Sequence, residues 1–350
     1  MEPRSPRSSE KSSTSSSRRR RLLRRAVVAA IVVVAFAVVL PRLANYGEVW
    51  EDVKQLDASA IALLLGVTVL NLVTFAPPWM AVLPRMGFRR AFVLTQASTA
   101  STYVAPGGAA VGIGLSYVFL RRWGYNTGDV GRAVALTGLW NQLALLGFPA
   151  VALGLLTLTG GESPLLKTVG LLGLGVFVAA VGAFGLAMSS DRLAERVGSF
   201  AVRVVNAAFR MVRRKPPAWS RESFVRFRHS TIGLLRKRWL YLTLATLTGQ
   251  LGVFLVLLVS LRVVGVPGSE VSLVEAFAAW SLVRLLGSLP ITPGGIGIVE
   301  VGLTTALAGF GGDESGVVAA VLIYRFLTVV PTLMLGALAG VVMRRLAPTV

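Results

Sequence analysis

Cysteine is absent from the 350 residues, so there is no disulfide, no thiolate nucleophile and no Cys-ligated metal. Histidine is almost absent as well, and a single copy, His229, leaves imidazole metal sites and a Ser-His-Asp triad poorly supported. Acids are scarce, with 16 Asp+Glu against 36 Lys+Arg, and charged residues make up only 15% of the chain. What fills the sequence instead is apolar: 54% of residues are hydrophobic and the mean hydropathy is +0.69. A net charge of +20 would suggest nucleic acid in a soluble protein. The apolar stretches here run too long for a soluble core, so the composition is that of a polytopic membrane protein with no nucleic-acid partner.

Residues 1–21 are Ser/Arg-rich and read as a disordered basic tail. No small-residue cleavage site follows the first apolar run, so that run reads as a retained span rather than a signal peptide. A span needs about 20 apolar residues. Six stretches qualify: 22–43, 58–83, 129–159, 166–188, 239–262 and 315–343. Two further apolar segments, 91–120 and 270–310, are interrupted by Pro106-Gly107-Gly108 and Pro293-Gly294-Gly295. Proline removes a backbone donor and paired glycine adds freedom, so each segment should be two short helices joined at a break.

Charge decides whether these broken segments cross. Arg85, Arg89 and Arg90 precede the first and Arg121 and Arg122 follow it, so both its flanks read as cytoplasmic. The second is flanked by Val266–Glu270 and Gly311–Glu314, which are acidic and free of Lys and Arg, and it should enter from outside. With both termini cytoplasmic, the inside holds every Lys and Arg except Arg42, Lys54, Lys167 and Arg262 outside, and Arg132, Arg284 and Arg325 in or near membrane segments. The fold class expected is an all-α polytopic membrane protein of about six full spans plus two Pro-Gly-Gly re-entrant helical hairpins in an inverted-topology repeat. The repeats divide as 22–165 and 166–345, the second carrying a cytoplasmic basic amphipathic insert at 189–238. That insert has 13 basic residues, which suit an anionic lipid surface.

Broken helices at membrane depth are tolerated where they are buried in protein or line a wet cavity. Two breaks entering from opposite faces imply a central polar site, and half-helices starting just after each Pro-Gly-Gly would aim free N–H groups at an anion. The candidate substrate-binding set is therefore Pro106, Gly107, Gly108, Pro293, Gly294, Gly295 and Gly297, joined by charged or polar residues at membrane depth. Glu300, seven residues after Pro293, and Arg325, mid-span beside Tyr324, each need a partner and should pair. An arriving headgroup would then draw Arg325 from Glu300. Arg284 and Glu275 lie in the first half of the second broken segment, on different faces. Asn141 and Gln142 sit mid-span, where amides most often bond between helices. Asp129 reads as an N-cap near Arg132, and Trp239 and Tyr241 as interface anchors.

The stretch Leu289-Pro-Ile-Thr-Pro-Gly-Gly-Ile-Gly-Ile-Val-Glu300, with Val321-Leu-Ile-Tyr-Arg325, resembles the signature of the lysylphosphatidylglycerol synthase transmembrane family, a flippase-like membrane domain. In the first half, Tyr103-Val-Ala-Pro-Gly-Gly108 and Phe119-Leu-Arg-Arg122 look like the family's other hairpin. Where relatives often carry an acidic residue and an arginine after the glycines and a Glu-Arg pair in the next span, this chain has Gly112 to Ser116 and Thr137-Gly138. The resemblance implies translocation of a phospholipid or lipid-linked anionic headgroup between leaflets of the cell membrane. A membrane-embedded glycosyltransferase or other lipid-modifying enzyme is the alternative, and a non-transporting scaffold for a separate lipid synthase is a third reading. No catalytic motif, metal site or cofactor is found, which favours the transporter. The partners to expect are membrane phospholipid and a separate synthase or glycosyltransferase, and a homo-oligomer is compatible with the sequence.

Overall fold

The computed structural model describes residues 54, 56–104, 108–158, 164–189, 221–289 and 292–346, all within one unit, Lys54–Val350. The basic tail, the expected span at 22–43, and Pro106 and Gly107 lie outside the described residues, as does most of the insert. All regular structure among the described residues is helical.

Caps and prolines punctuate the apolar chain. Asp57 Oδ1 accepts the Ala60 N–H at 2.8 Å and opens α1 (Ala58–Thr74). That bond, with those from the Ser59 hydroxyl, holds the Asp57 carboxyl below the usual carboxylate range. Pro77 and Pro78 force a break before α2 (Pro77–Val82), because proline fits a helix start and not its interior. The next pair, α3 (Phe88–Val104) and α4 (Gly108–Arg122), folds back on itself. The start of α3 meets the end of α4 where the Arg90 guanidinium lies 5.9 Å from the Trp123 ring centre.

Asn126, and not Asp129, caps α5 (Thr127–Leu158): its Oδ1 accepts the Asp129 N–H at 2.8 Å, and the Asp129 carboxylate turns to Arg132 at 2.7 Å. α6 (Pro164–Ser189) packs on α5 and leaves Leu171, Leu172 and Val178 exposed. α7 (Arg221–Val263) is one 43-residue helix. The line expected at 238 between insert and span therefore falls inside a continuous helix, since no proline interrupts 221–263 and Lys, Arg and Leu all favour helix.

Ser272 and Glu275 form a reciprocal cap on α8 (Leu273–Gly287), so Glu275 closes a helix end at 2.8 Å from the Ser272 N–H. A tight turn at Pro293–Gly295 leads to α9 (Ile298–Gly309) and then α10 (Glu314–Leu346). Asp313 caps α10 by accepting from the Ser315 hydroxyl at 2.6 Å and the Gly316 N–H at 2.9 Å, which holds its carboxyl below the usual range. The outer ends of α8 and α9 are brought together where the Asp313 N–H donates to Glu270 Oε2 at 3.2 Å.

Among the described residues, four stretches are long and apolar enough to cross a membrane: Ala58–Val82, Thr127–Leu156, His229–Val263 and Glu314–Ala339. These coincide with four of the six expected spans. A fifth expected span, at 166–188, lies within the single helix α6.

The packing of the two halves is reciprocal. α3 lies on α10 and α8 on α5; α3 pairs with α4 and α8 with α9; α4 meets α5 and α9 meets α10; and α1 crosses α7. Close approach is made by small residues. A side chain at Gly336 of α10 would run into Ala100 of α3, and Gly249 and Gly252 of α7 sit against Thr74 and Asn71 of α1. Rings of Phe148, Phe254, Phe277 and Trp280 knit α5, α7 and α8 together, with Phe254 and Phe277 centroids 5.2 Å apart.

Candidate functional site

The turn that ends α8's descent is built on glycine. Gly294, Gly295 and Gly297 have φ of 62°, 69° and 86°, a left-handed conformation that costs other residues roughly 1–2 kcal/mol each. Gly294 is required twice, because a side chain there would also strike the Tyr103 ring. The C-terminal end of α3, beside the break of the first segment, thus rests directly on the turn of the second.

Beneath this contact lies an ion pair. Glu300, in the first turn of α9, accepts the Arg325 Nε–H on Oε1 at 2.5 Å and the Gly297 N–H on Oε2 at 2.6 Å. Arg325 also donates from Nη2 to the Gly294 carbonyl at 3.4 Å. Glu300 is 6% exposed and Arg325 3%. Each charge left unpaired at the bilayer centre would cost about 2.5–3.5 kcal/mol on the lenient insertion scale, which is the physical reason for the pairing. α9 begins at Ile298, and the N–H that precedes it is taken by Glu300. Of the free N–H groups expected where this half-helix opens, that of Gly297 is therefore already taken.

Around the pair, Arg284, Arg325 and Tyr103 lie within electrostatic reach of the buried Tyr324 hydroxyl, which the Trp280 indole N–H approaches without a well-aligned bond. Arg284 Nε and the Thr292 hydroxyl are buried and make no hydrogen bond. Glu300 pairs with Arg325 alone, so Arg284 leaves a single positive charge in excess here.

Of the residues singled out from sequence, Arg284, Pro293, Gly294, Gly295, Gly297, Glu300, Tyr324 and Arg325 gather on α8, the turn, α9 and α10. Gly108 is buried at the start of α4, where a side chain would strike the Thr102 backbone. Asn141 lies elsewhere: its Oδ1 accepts from Gln250 Nε2 at 2.5 Å and joins α5 to α7, while Gln142 is exposed. Tyr103, Trp280, Thr292 and Gln250 enter the site or its supports without having been picked from sequence. Trp280 alone had a local signal, lying one helical turn before Arg284 and so on the same face of α8.

The family described as Lysylphosphatidylglycerol synthase TM region matches residues 27–336, and the chain belongs to it. No curated protein matches the chain. A membrane-domain family and four helices of spanning length and apolarity together make this a multi-pass membrane protein.

Proposed function

We propose that the protein moves a phospholipid, or a lipid-linked anionic headgroup, between the two leaflets of the cell membrane. The observation that carries this reading is the meeting of the two broken segments. Tyr103 from the first lies on Gly294 of the second, directly over a buried Glu300–Arg325 pair and beside a second arginine. A polar, net-positive point enclosed by apolar helices is what a headgroup needs if it is to leave water while its chains stay in lipid.

The architecture that would deliver the headgroup is an inverted repeat of 22–165 and 166–345, with α3–α4 entering from the cytoplasm and α8–α9 from outside as re-entrant hairpins. Six full spans and both termini on the cytoplasmic side complete it. Reciprocal packing of α3 on α10 and α8 on α5 supports the repeat, and the charge asymmetry of the flanks supports the orientation. In this reading the basic residues of 189–238 lie on the anionic inner leaflet.

Chemistry on the lipid is disfavoured by how most acids among the described residues are spent. Asp57, Glu275 and Asp313 cap helices, Asp129 pairs with Arg132, Glu270 accepts from the Asp313 N–H and Glu300 holds Arg325. The test is a leaflet-resolved lipid assay in vesicles containing the purified full chain, run across a panel of headgroups. Faster exchange of an anionic phospholipid than in protein-free vesicles is the expected result. Exchange equal to that of protein-free vesicles for every headgroup would remove the proposal.

A further inference from the structure

Glu300 and Arg325 hold each other and the turn. Both carboxylate oxygens of Glu300 are engaged, and Arg325 holds Glu300 by Nε and the Gly294 carbonyl by Nη2. Releasing Arg325 to a ligand would leave a buried carboxylate uncompensated and would loosen the turn it braces. The free binding capacity lies one step away. Arg284, in the last turn of α8, has a buried Nε with no acceptor and no acidic partner among the described residues, whereas Arg132 and Arg325 each have one.

The Thr292 hydroxyl, like that of Thr231 on α7, is buried without a partner. Thr68, Thr95, Thr137, Thr246, Thr328 and Thr332 each donate to the carbonyl four residues back in their own helix. Thr292 precedes the turn outside any helix, and its buried hydroxyl has no such carbonyl. Trp280 Nε1, one helical turn from Arg284 on the same face, lies against the Tyr324 hydroxyl instead, without a well-aligned bond. Donors without acceptors, around one excess positive charge, call for an acceptor-only group of single negative charge.

We infer that Arg284 and Thr292 form the binding site for the phosphodiester monoanion of a lipid headgroup, while the Glu300–Arg325 pair stays closed as the brace of the Pro293–Gly295 turn. This rests on the translocation reading for the route the lipid takes, and not for what the site binds. A guanidinium presents its donors as a fork that matches two phosphate oxygens, and the threonine hydroxyl supplies a further donor to the same group. The competing role for Arg284 is to offset the carbonyl end of the α8 dipole, which would make it a stability residue alone.

Calorimetric titration of the full chain in a neutral detergent with short-chain phosphatidylglycerol, dimethyl phosphate and inorganic phosphate separates these roles. Arg284→Gln should weaken phosphatidylglycerol binding at least tenfold and Thr292→Val severalfold, with lipid-free melting temperatures close to that of the unmodified chain. Should Arg284→Gln fail to fold, Thr292→Val carries the test alone. Unchanged affinity in the folded variants would overturn the assignment, as would the absence of any phosphatidylglycerol binding by the unmodified chain. Equal affinity for dimethyl phosphate or inorganic phosphate would overturn the lipid part of it. A chain that binds phosphatidylglycerol through Arg284 but does not move it in vesicles would count against translocation and leave this inference standing.

Discussion

At the scale of single residues, Glu300 is held by two donors and Arg325 by two acceptors, so neither can be removed without stranding the other. Glu300→Gln or Arg325→Gln should each lower stability by about 3 kcal/mol, the usual loss when one member of a buried pair is left behind. Glu300→Gln with Arg325→Gln together should cost clearly less than the two single losses added. Melting curves of the four proteins in detergent form the cycle, and strict additivity would show that the two charges do not interact. Gly294→Ala should cost roughly 1–2 kcal/mol from its left-handed backbone, with a further penalty from the Tyr103 ring. The further penalty should disappear in a Tyr103→Ala background, while the backbone cost should persist. The Glu300–Arg325 pairing was legible in the sequence because an isolated carboxylate and an isolated guanidinium in apolar segments have few ways to be satisfied. The Tyr103 contact was not, because it joins residues far apart in the chain and no periodicity marks it.

At the scale of elements, prolines, glycines and caps set where helices stop, and these marks are readable. The turn between α8 and α9 falls at Pro293-Gly294-Gly295 as expected, while four of the six spans follow from apolar length. Boundaries resting on amphipathicity were less legible. The polar Arg221–Arg238 stretch and the apolar stretch after it form one helix, because a helix does not end where its surroundings change from water to lipid. The cap of α5 was misplaced from Asn126 to Asp129 because both residue types cap well and only the side-chain geometry distinguishes them. Close contact between elements depends on missing side chains, and α10 can lie on α3 because Gly336 faces Ala100 and the Gln96 backbone. Gly336→Leu should lower stability by about 1–3 kcal/mol through overpacking, with Gly336→Ala intermediate. Equal melting temperatures for Gly336→Leu and the unmodified chain would mean that this contact is not closely packed in the membrane.

At the scale of the whole molecule, the account stands or falls on two helical pairs, α3–α4 and α8–α9, that enter from opposite faces and meet at the Gly294 turn. Each pair has its outer ends together, at Arg90 and Trp123 in the first and at Glu270 and Asp313 in the second. Charge gave the sides in the sequence, and the reciprocal packing of the halves agrees in pattern. It is not complete, since α7 packs extensively on α10 without an equally extensive contact of α1 on α5. A sequence offset of 187 that places Pro106 on Pro293 carries few other identities, so the asymmetry had no sequence signal. The chain's lack of cysteine permits the direct measurement. Single cysteines at the exposed positions Arg89, Arg122, Ser269 and Glu314 are reacted with a membrane-impermeant thiol reagent, in intact cells and in inverted vesicles. The account predicts that Arg89→Cys and Arg122→Cys react only from the cytoplasmic side, and Ser269→Cys and Glu314→Cys only from outside. Reaction of the two members of either pair from opposite sides would show that segment to cross the membrane, and would contradict the account.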